Sequence, residues 1–267
     1  MRVFVAGSGS SGNSVLFETE RARLLVDCGI GPRGMGKRLR ALDVDFEARA
    51  LDAILPTHEH ADHFGRAAQL ARTTGAPLLL HRGIAAPRLR ASHDVRELTV
   101  GQRLEVGDLS ITTVAVPHDA PNVAVRVEHR GVAVAMATDL GHVPRAVVDF
   151  LATADVLLLE ANHCPRLLAA GPYPASLKRR VLSDVGHLSN EQAGAALRAL
   201  RGARPARAYL VHLSAVNNDV DVATRRARAS RPDLAVSALA HGAPSELDLR
   251  LDRRRRSVVY GQMSLPF

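Results

Sequence analysis

Four side chains able to bind a metal crowd into six residues, His58, His60, Asp62 and His63, within the run Thr57-His58-Glu59-His60-Ala61-Asp62-His63. Imidazole nitrogens and carboxylate oxygens are the ligands that Zn, Mn and Fe favour. On an extended segment, residues two apart project to the same side, so His58 and His60 can bind one ion together. Asp62 and His63 fall where the chain turns into a helix and can point to a second ion beside the first. A lone histidine is an ordinary core or surface residue. Three histidines and an aspartate at this spacing are hard to explain by packing.

The elements around this run must position it. Leu51-Asp52-Ala53-Ile54-Leu55 reads as a short buried strand ending at Pro56, and residues from His63 to about Thr74 read as a helix stopped by Gly75. Upstream, Val3–Val5 and Val15–Phe17 are strands flanking the loop Gly7-Ser8-Gly9-Ser10-Ser11-Gly12-Asn13, and Arg23–Asp27 is a further strand closed by Gly29. Downstream, residues 77–80 form a strand and residues 109–116, 122–128 and 132–137 a meander. Val156-Leu157-Leu158-Leu159 is a wholly apolar strand. Ser189 can cap a helix reaching about Arg201, with Glu191 and Gln192 in its first turn. Arg207–Val211 is a strand ending at His212, Asp219 to about Ser230 is a basic helix, and the tail from residue 234 alternates like two or three strands. Meanders combined with alternating strands and helices predict an α/β chain, with two sheets and helices on their outer faces.

Composition narrows the class. The 267 residues are 46% hydrophobic but only 3% aromatic, with no Trp, so the core must be built from Ala, Val and Leu. The net charge of +8 admits a nucleic-acid partner. However, Lys37 and Lys178 are the only lysines among 35 basic residues. That Arg-for-Lys bias, with abundant Ala, reads as genome composition rather than selection for binding. Cys28 and Cys164 make no disulfide framework. No apolar signal segment follows the N-terminus, and no run approaches the roughly 20 apolar residues of a membrane span. The expectation is a cytoplasmic protein without a membrane partner.

The His58–His63 run resembles the HxHxDH signature of the metallo-β-lactamase superfamily. The resemblance covers nearly the whole chain and implies the metallo-β-lactamase fold, an αββα four-layer sandwich, as a single domain over residues 1–267. It also implies later ligands at strand ends, namely His118 in Val116-Pro117-His118-Asp119, Asp139 in Thr138-Asp139-Leu140 and His212 in Val211-His212-Leu213. On this reading two divalent metal ions, Zn or Mn, are bound. His58, His60 and His118 serve the first, Asp62, His63 and His212 the second, and Asp139 bridges them. Asp62 is then both ligand and catalytic residue, and Asp27 matches a structural aspartate near the site. Two ions about 3.5–4 Å apart hold a hydroxide at neutral pH and stabilise the charge of attack.

The branch of the superfamily sets the substrate. Asp139 stands where true β-lactamases usually carry Cys, which argues against lactam hydrolysis, although thioesterases of the glyoxalase II type also use Asp. Gly186-His187-Leu188-Ser189, followed by His212-Leu213-Ser214, resembles elements of the tRNA 3′-end processing nucleases, which implies His187 as the general acid. Ser8–Ser14, Glu160-Ala161-Asn162-His163 and the segment from Gly171 to Arg180 resemble the YycJ/WalJ-like exonuclease group. Cys164 departs from that pattern, which has Asp there. The segment between Asp139 and His212 is too short for the extra domain of ribonuclease J types.

These segments also make physical sense as substrate contacts. The Gly/Ser loop, with Ser11 and Asn13, either cradles a phosphate with backbone N–H groups or is an ordinary tight turn. Lys178, Arg179 and Arg180 either track a phosphodiester backbone or form a solvated helix face. Tyr173 could stack a base, and His163 could contact substrate. His81, His93, His129, His142 and His241 read as structural or exposed, and Arg253–Arg256 as a solvated turn. The expected function is a dinuclear phosphodiesterase or nuclease, resembling a 5′–3′ DNA exonuclease, with DNA favoured over RNA as substrate. The alternatives are a small-molecule thioesterase or cyclic phosphodiesterase, and a metal- and DNA-binding protein that does not cleave.

Overall fold

The computed structural model describes residues 1–47 and 49–250. The first sheet is built from β1 (Arg2–Gly7), β2 (Ser14–Glu18), β3 (Arg23–Val26), β4 (Ala53–Leu55), β5 (Leu78–His81) and β6 (Val95–Leu98). The second is built from β7 (Leu104–Val106), β8 (Leu109–Val116), β9 (Asn122–His129), β10 (Val132–Ala137), β11 (Val156–Glu160), β12 (Arg207–Val211) and β13 (Ala235–Ala238). β14 (Ser245–Glu246) returns to the first sheet, whose order is β14-β1-β2-β3-β4-β5-β6, while the second runs β13-β12-β11-β10-β9-β8-β7.

Alternation along the strands sorts the side chains into layers. Val134, Met136, Val156 and Leu158 face the first sheet and pack with Val3, Phe17, Leu24 and Leu55. Their neighbours Ala133, Ala135, Ala137, Leu157 and Leu159 turn the other way, onto the helices α5 (Arg145–Ala152) and α8 (Asn190–Ala199). On the opposite face Phe4, Leu16, Leu25 and Ile54 meet Met35 and Leu39 of α1 (Pro32–Arg40) and Leu70 of α3 (Ala67–Thr74). Small outward Ala residues let the helices approach closely, so a chain poor in aromatics still fills its core. The result is the four-layer αββα sandwich.

Strand direction decides where the site must be. β10, β11, β12 and β13 are mutually parallel, and β8 runs with them because it is antiparallel to β9, which is itself antiparallel to β10. β3, β4 and β5 are parallel in the first sheet. The C-terminal ends of these strands therefore deliver side chains to one edge of the sandwich.

Two details differ from the sequence pattern. The helix expected from His63 to Thr74 is two pieces, α2 (Ala61–Phe64) and α3, separated at Gly65 and Arg66. The break lets Asp62 and His63 face the site while α3 buries Ala67, Leu70 and Ala71. Shorter helices that the periodicity did not reveal, α4 (Pro87–Ser92), α6 (Pro165–Ala170) and α7 (Ala175–Val181), are each begun near a proline. The Ser189 cap is present with a reciprocal Gln192 bond, and α9 (Val220–Ser230) starts at an Asp219 cap. Arg253–Arg256 and any strand beyond β14 lie outside the described residues.

Leu158 is fully buried at the centre of the inter-sheet core, whereas Leu182 is 59% exposed. Leu158→Ala should lower stability by about 2–5 kcal/mol, while Leu182→Ala should change it by less than about 0.5 kcal/mol. Urea denaturation of the two variants checks this difference.

Candidate metal centre and active site

Each of the seven sequence-predicted ligands arrives at the shared edge of the sandwich. His58 follows β4, His118 follows β8, Asp139 follows β10 and His212 follows β12. Asp27, Asp139 and His212 have φ of 62°, 57° and 57°, in the left-handed region that costs an L-residue roughly 1–2 kcal/mol. This backbone turn swings the side chain at the strand end back into the seam between the sheets. Neighbours hold it there. Asn122 Nδ2 donates to Asp139 O at 2.8 Å, and the His212 N–H donates to Ser8 Oγ at 2.6 Å. The α2 turn is pinned by close backbone approach, with Asn13 N donating to Asp62 O and Cys28 N to His63 O, both at 2.7 Å. A Cβ on Gly29 would lie 1.9 Å from Asp62 O, so only glycine fits there.

Ligating atoms converge in overlapping groups, each within 4.8 Å. These are His58 with His60 and His118, Asp62 with His63 and His212, His58 with His63 and Asp139, and Asp139 with Glu160, His187 and His212. Asp139 therefore stands where it can serve both of the first two. Four imidazoles share one arrangement. The Nδ1 atoms of His58, His63, His118 and His212 face Thr57 Oγ1 (3.1 Å), Asp27 Oδ2 (2.7 Å), Gly186 O (3.3 Å) and Glu160 Oε1 (3.1 Å). An N–H on Nδ1 directed at an oxygen leaves the Nε2 lone pair for the site, the arrangement found around metal-bound histidines. His60 is turned the other way, with Nδ1 3.2 Å from His118 Nε2.

The donor set fits divalent cations. His58 Nε2 is buried without a hydrogen-bond partner, and so is Asp139 Oδ2, although His63 Nε2 approaches the latter at 2.8 Å. Burial, reinforced by the His63 charge, lowers the His58 pKa to about 2, so this ring is a neutral lone-pair donor. Burial alone would also lower His212, but Asp139, with Asp62 and Glu160, raises it to about 10. The carboxylates thus create a local excess of negative charge that a cation would neutralise.

Glu160 was not assigned a role from the sequence. It ends β11 with no exposed surface. Its carboxylate accepts from His187 Nδ1 (2.8 Å), His212 Nδ1 (3.1 Å), and the N–H groups of Leu188 and Leu140 (both 3.1 Å). Burial would raise its pKa, but His187 and His212 bring it down to about 2. A glutamate closing an otherwise apolar strand was the available signal, since an unpaired Glu is almost never buried. His187 lies beside the cluster with its ring centroid 5.6 Å from that of His118 and 5.5 Å from that of His212. Asp119, also unassigned, places Oδ1 3.2 Å from His118 Nε2 and 3.4 Å from His60 Nε2, and its Oδ2 accepts from Arg180 Nε at 2.6 Å.

The residues expected to contact substrate lie in different surroundings. Asn13 is buried, and its amide is used on Gly9, Asp62 and His63, the last at 2.8 Å. Its Nδ2 lies 2.8 Å from His63 Nε2 and 3.3 Å from Asp62 Oδ2, among the candidate ligating atoms themselves. His163 is 1% exposed, so it is not a surface contact. Ser11 is exposed, but its hydroxyl faces His241 at 3.1 Å, and Ser10 takes the place at the cavity wall. Lys178 donates to Ala169 O at 2.7 Å, away from the cavity. Arg180 does line it. Cys164 heads α6, with its N–H donating to Asn217 O. A larger cavity of about 700 Å³ beside Met1, His129 and Leu249 contains none of these ligand groups.

A family model described as Beta-lactamase superfamily domain matches residues 22–213. The exodeoxyribonuclease WalJ of Streptococcus pneumoniae serotype 2 is 35% identical over 229 residues, covering 82% of this chain and 84% of that protein. The exodeoxyribonuclease YycJ of Bacillus anthracis is 33% identical over 227 residues, with the same coverage of 82% and 84%. Among solved structures, Zn(2+)-bound PqqB from Methylobacterium extorquens superposes with a TM-score of 0.70 at 18% identity, covering 92% of this chain and all of that one. At that identity the likeness is one of fold.

The left-handed backbone at His212 yields an order of stability opposite to the usual one. In chelator-treated protein, His212→Gly should be more stable than His212→Ala by up to about 1 kcal/mol. Chemical denaturation of the two variants measures it, and an Ala variant of equal or greater stability would show that the backbone there carries no strain.

Proposed function

The chain belongs to the β-lactamase superfamily and to its group containing WalJ and YycJ, and from this we propose that it is a metal-dependent phosphodiesterase of nucleic acid, a 5′–3′ exonuclease preferring DNA to RNA. We assign one ion to His58, His60 and His118, a second to Asp62, His63 and His212, and a bridging role to Asp139. Zn and Mn both suit this set of imidazoles and carboxylates. When bound, the ions supply a water activated at neutral pH and neutralise charge on the phosphate.

The observation that carries the reading is the His187–Glu160 pair. An imidazole outside the assigned ligand set lines the cavity, its Nδ1 tied to a buried carboxylate at 2.8 Å. Burial would lower the His187 pKa, but the Glu160 charge raises it, so the ring is held as the imidazolium, with Nδ1–H on Glu160 and Nε2–H toward the cavity. As water adds to phosphorus and the P–O bond breaks, His187 gives its Nε2 proton to the departing oxygen. Cleavage of an alkyl phosphodiester needs such a donor, because the leaving alkoxide is a strong base. Arg180, held by Asp119 at the mouth, is positioned to attract the phosphate. Asp62 combines ligand and catalytic roles, since it sits on the cavity floor between His63 and His212.

Among the described residues no helix is long and apolar enough to cross a membrane, and both cysteines are free. These features fit a cytoplasmic enzyme.

Elemental analysis after metal supplementation should find two divalent ions per chain. His187→Ala should retain both and lose about 10²–10⁴-fold in kcat on single-stranded DNA; wild-type cleavage by this variant would overturn the acid assignment. Labelled DNA, labelled RNA and a glutathione thioester should be assayed side by side with Zn and with Mn. Turnover of the thioester with both nucleic acids intact would overturn the phosphodiesterase reading.

A further inference from the structure

We infer that the cavity beside the metal-ligand cluster is a subsite for a single nucleotide, with its base against Tyr173 and Leu177 and its phosphate between Arg180 and the cluster. This inference rests on the nuclease reading above and adds to it how the strand is held.

The cavity measures about 410 Å³ and has two unlike sides. Asp62, Asp139, His187 and His212 form the reactive floor. Tyr173, Leu177 and Val181 form an apolar wall. Leu177 and Val181 are four residues apart on α7 and so share a face. Tyr173 precedes the Pro174 cap of that helix. These three side chains belong to none of the hydrophobic clusters that build the core. Val181 is 7% exposed, so the accessible apolar surface of this wall comes from the half-buried Tyr173 and Leu177.

Tyr173 suits a stacking role. It is flanked by Pro172 and Pro174. A residue before proline is confined to extended conformations, so the ring is presented with little backbone freedom to lose. The other described tyrosine, Tyr209, is 7% exposed and donates its hydroxyl to Asp248 O. Tyr173 is half-buried at the site. In a chain with no Trp and 3% aromatics, an aromatic ring there is a costly choice unless a planar apolar group lies against it.

Arg180 supplies the second recognition element. Its side chain is 52% exposed, and its pairing with Asp119 keeps the guanidinium over the mouth, because the other Asp119 oxygen reaches His60 and His118. Apolar wall, guanidinium and ligand cluster thus line one space. The volume is within the roughly 300–1,000 Å³ of sites that enclose one small ligand. It has room for one unstacked nucleotide.

The test compares two single-stranded oligonucleotides, one natural and one with an abasic tetrahydrofuran residue at the terminal position. Wild type should prefer the natural strand about tenfold in kcat/KM, mostly through KM, at the modest end of base–aromatic stacking. Tyr173→Ala should bring that ratio within about twofold of unity, and Tyr173→Phe should keep it. In wild-type metal-loaded enzyme, calorimetry should show a deoxynucleoside 5′-monophosphate binding about tenfold tighter than deoxyribose 5-phosphate. Equal cleavage of both strands by wild type, or an unchanged ratio in Tyr173→Ala, overturns the subsite and leaves the nuclease reading standing. Cleavage of neither strand overturns the nuclease reading itself.

Discussion

Buried negative charge at the seam between the sheets is the constraint on which the rest of the structure depends. Asp27, Asp139 and Glu160 are each at most 2% exposed, and Asp62 adds a fourth carboxylate beside them. Ionised groups in such a place are tolerated only with partners. The partners are imidazoles, and each imidazole in turn needs an oxygen on its far side. Asp27 answers His63, while Glu160 answers both His187 and His212. Cations complete the balance. The site is thus an electrostatic unit in which removing one member leaves another unpaired.

That unit sets requirements on the backbone. Side chains must come from several strand ends in two sheets, and three of the positions take left-handed φ values to aim them. A strained conformation persists where its surroundings over-determine it. Here the surroundings are side-chain bonds to the backbone, from Asn122 to Asp139 and from Ser8 to His212. The Gly/Ser loop therefore has a structural task. Ser8 and Asn13 bond to His212, His63 and Asp62, while Ser10 lines the cavity.

A division of labour follows. The sandwich supplies a rigid frame whose parallel strands end together. The α6–α7 segment, outside the sheets, places Tyr173, Leu177 and Arg180 along the cavity.

The His58–His63 cluster, and the alternation that predicts two sheets with outer helices, can be read directly along the chain. Both are local, resting on spacings of two residues along an extended chain and on apolar periodicity. The Ser189 cap and the stop at Gly75 were legible for the same reason. The later ligands His118, Asp139 and His212 came from family resemblance, since nothing local ties them to His58. Which polar residues are buried, and what they face, follows from the packing of distant segments. Asn13 and His163 look in sequence like surface contacts and are enclosed. Glu160 and Asp119 look like ordinary acids and hold His187 and Arg180 in place. Those relations depend on the parallel order of β10, β11 and β12, which brings residues dozens of positions apart to one edge. Pairing between distant strands leaves no mark in local spacing.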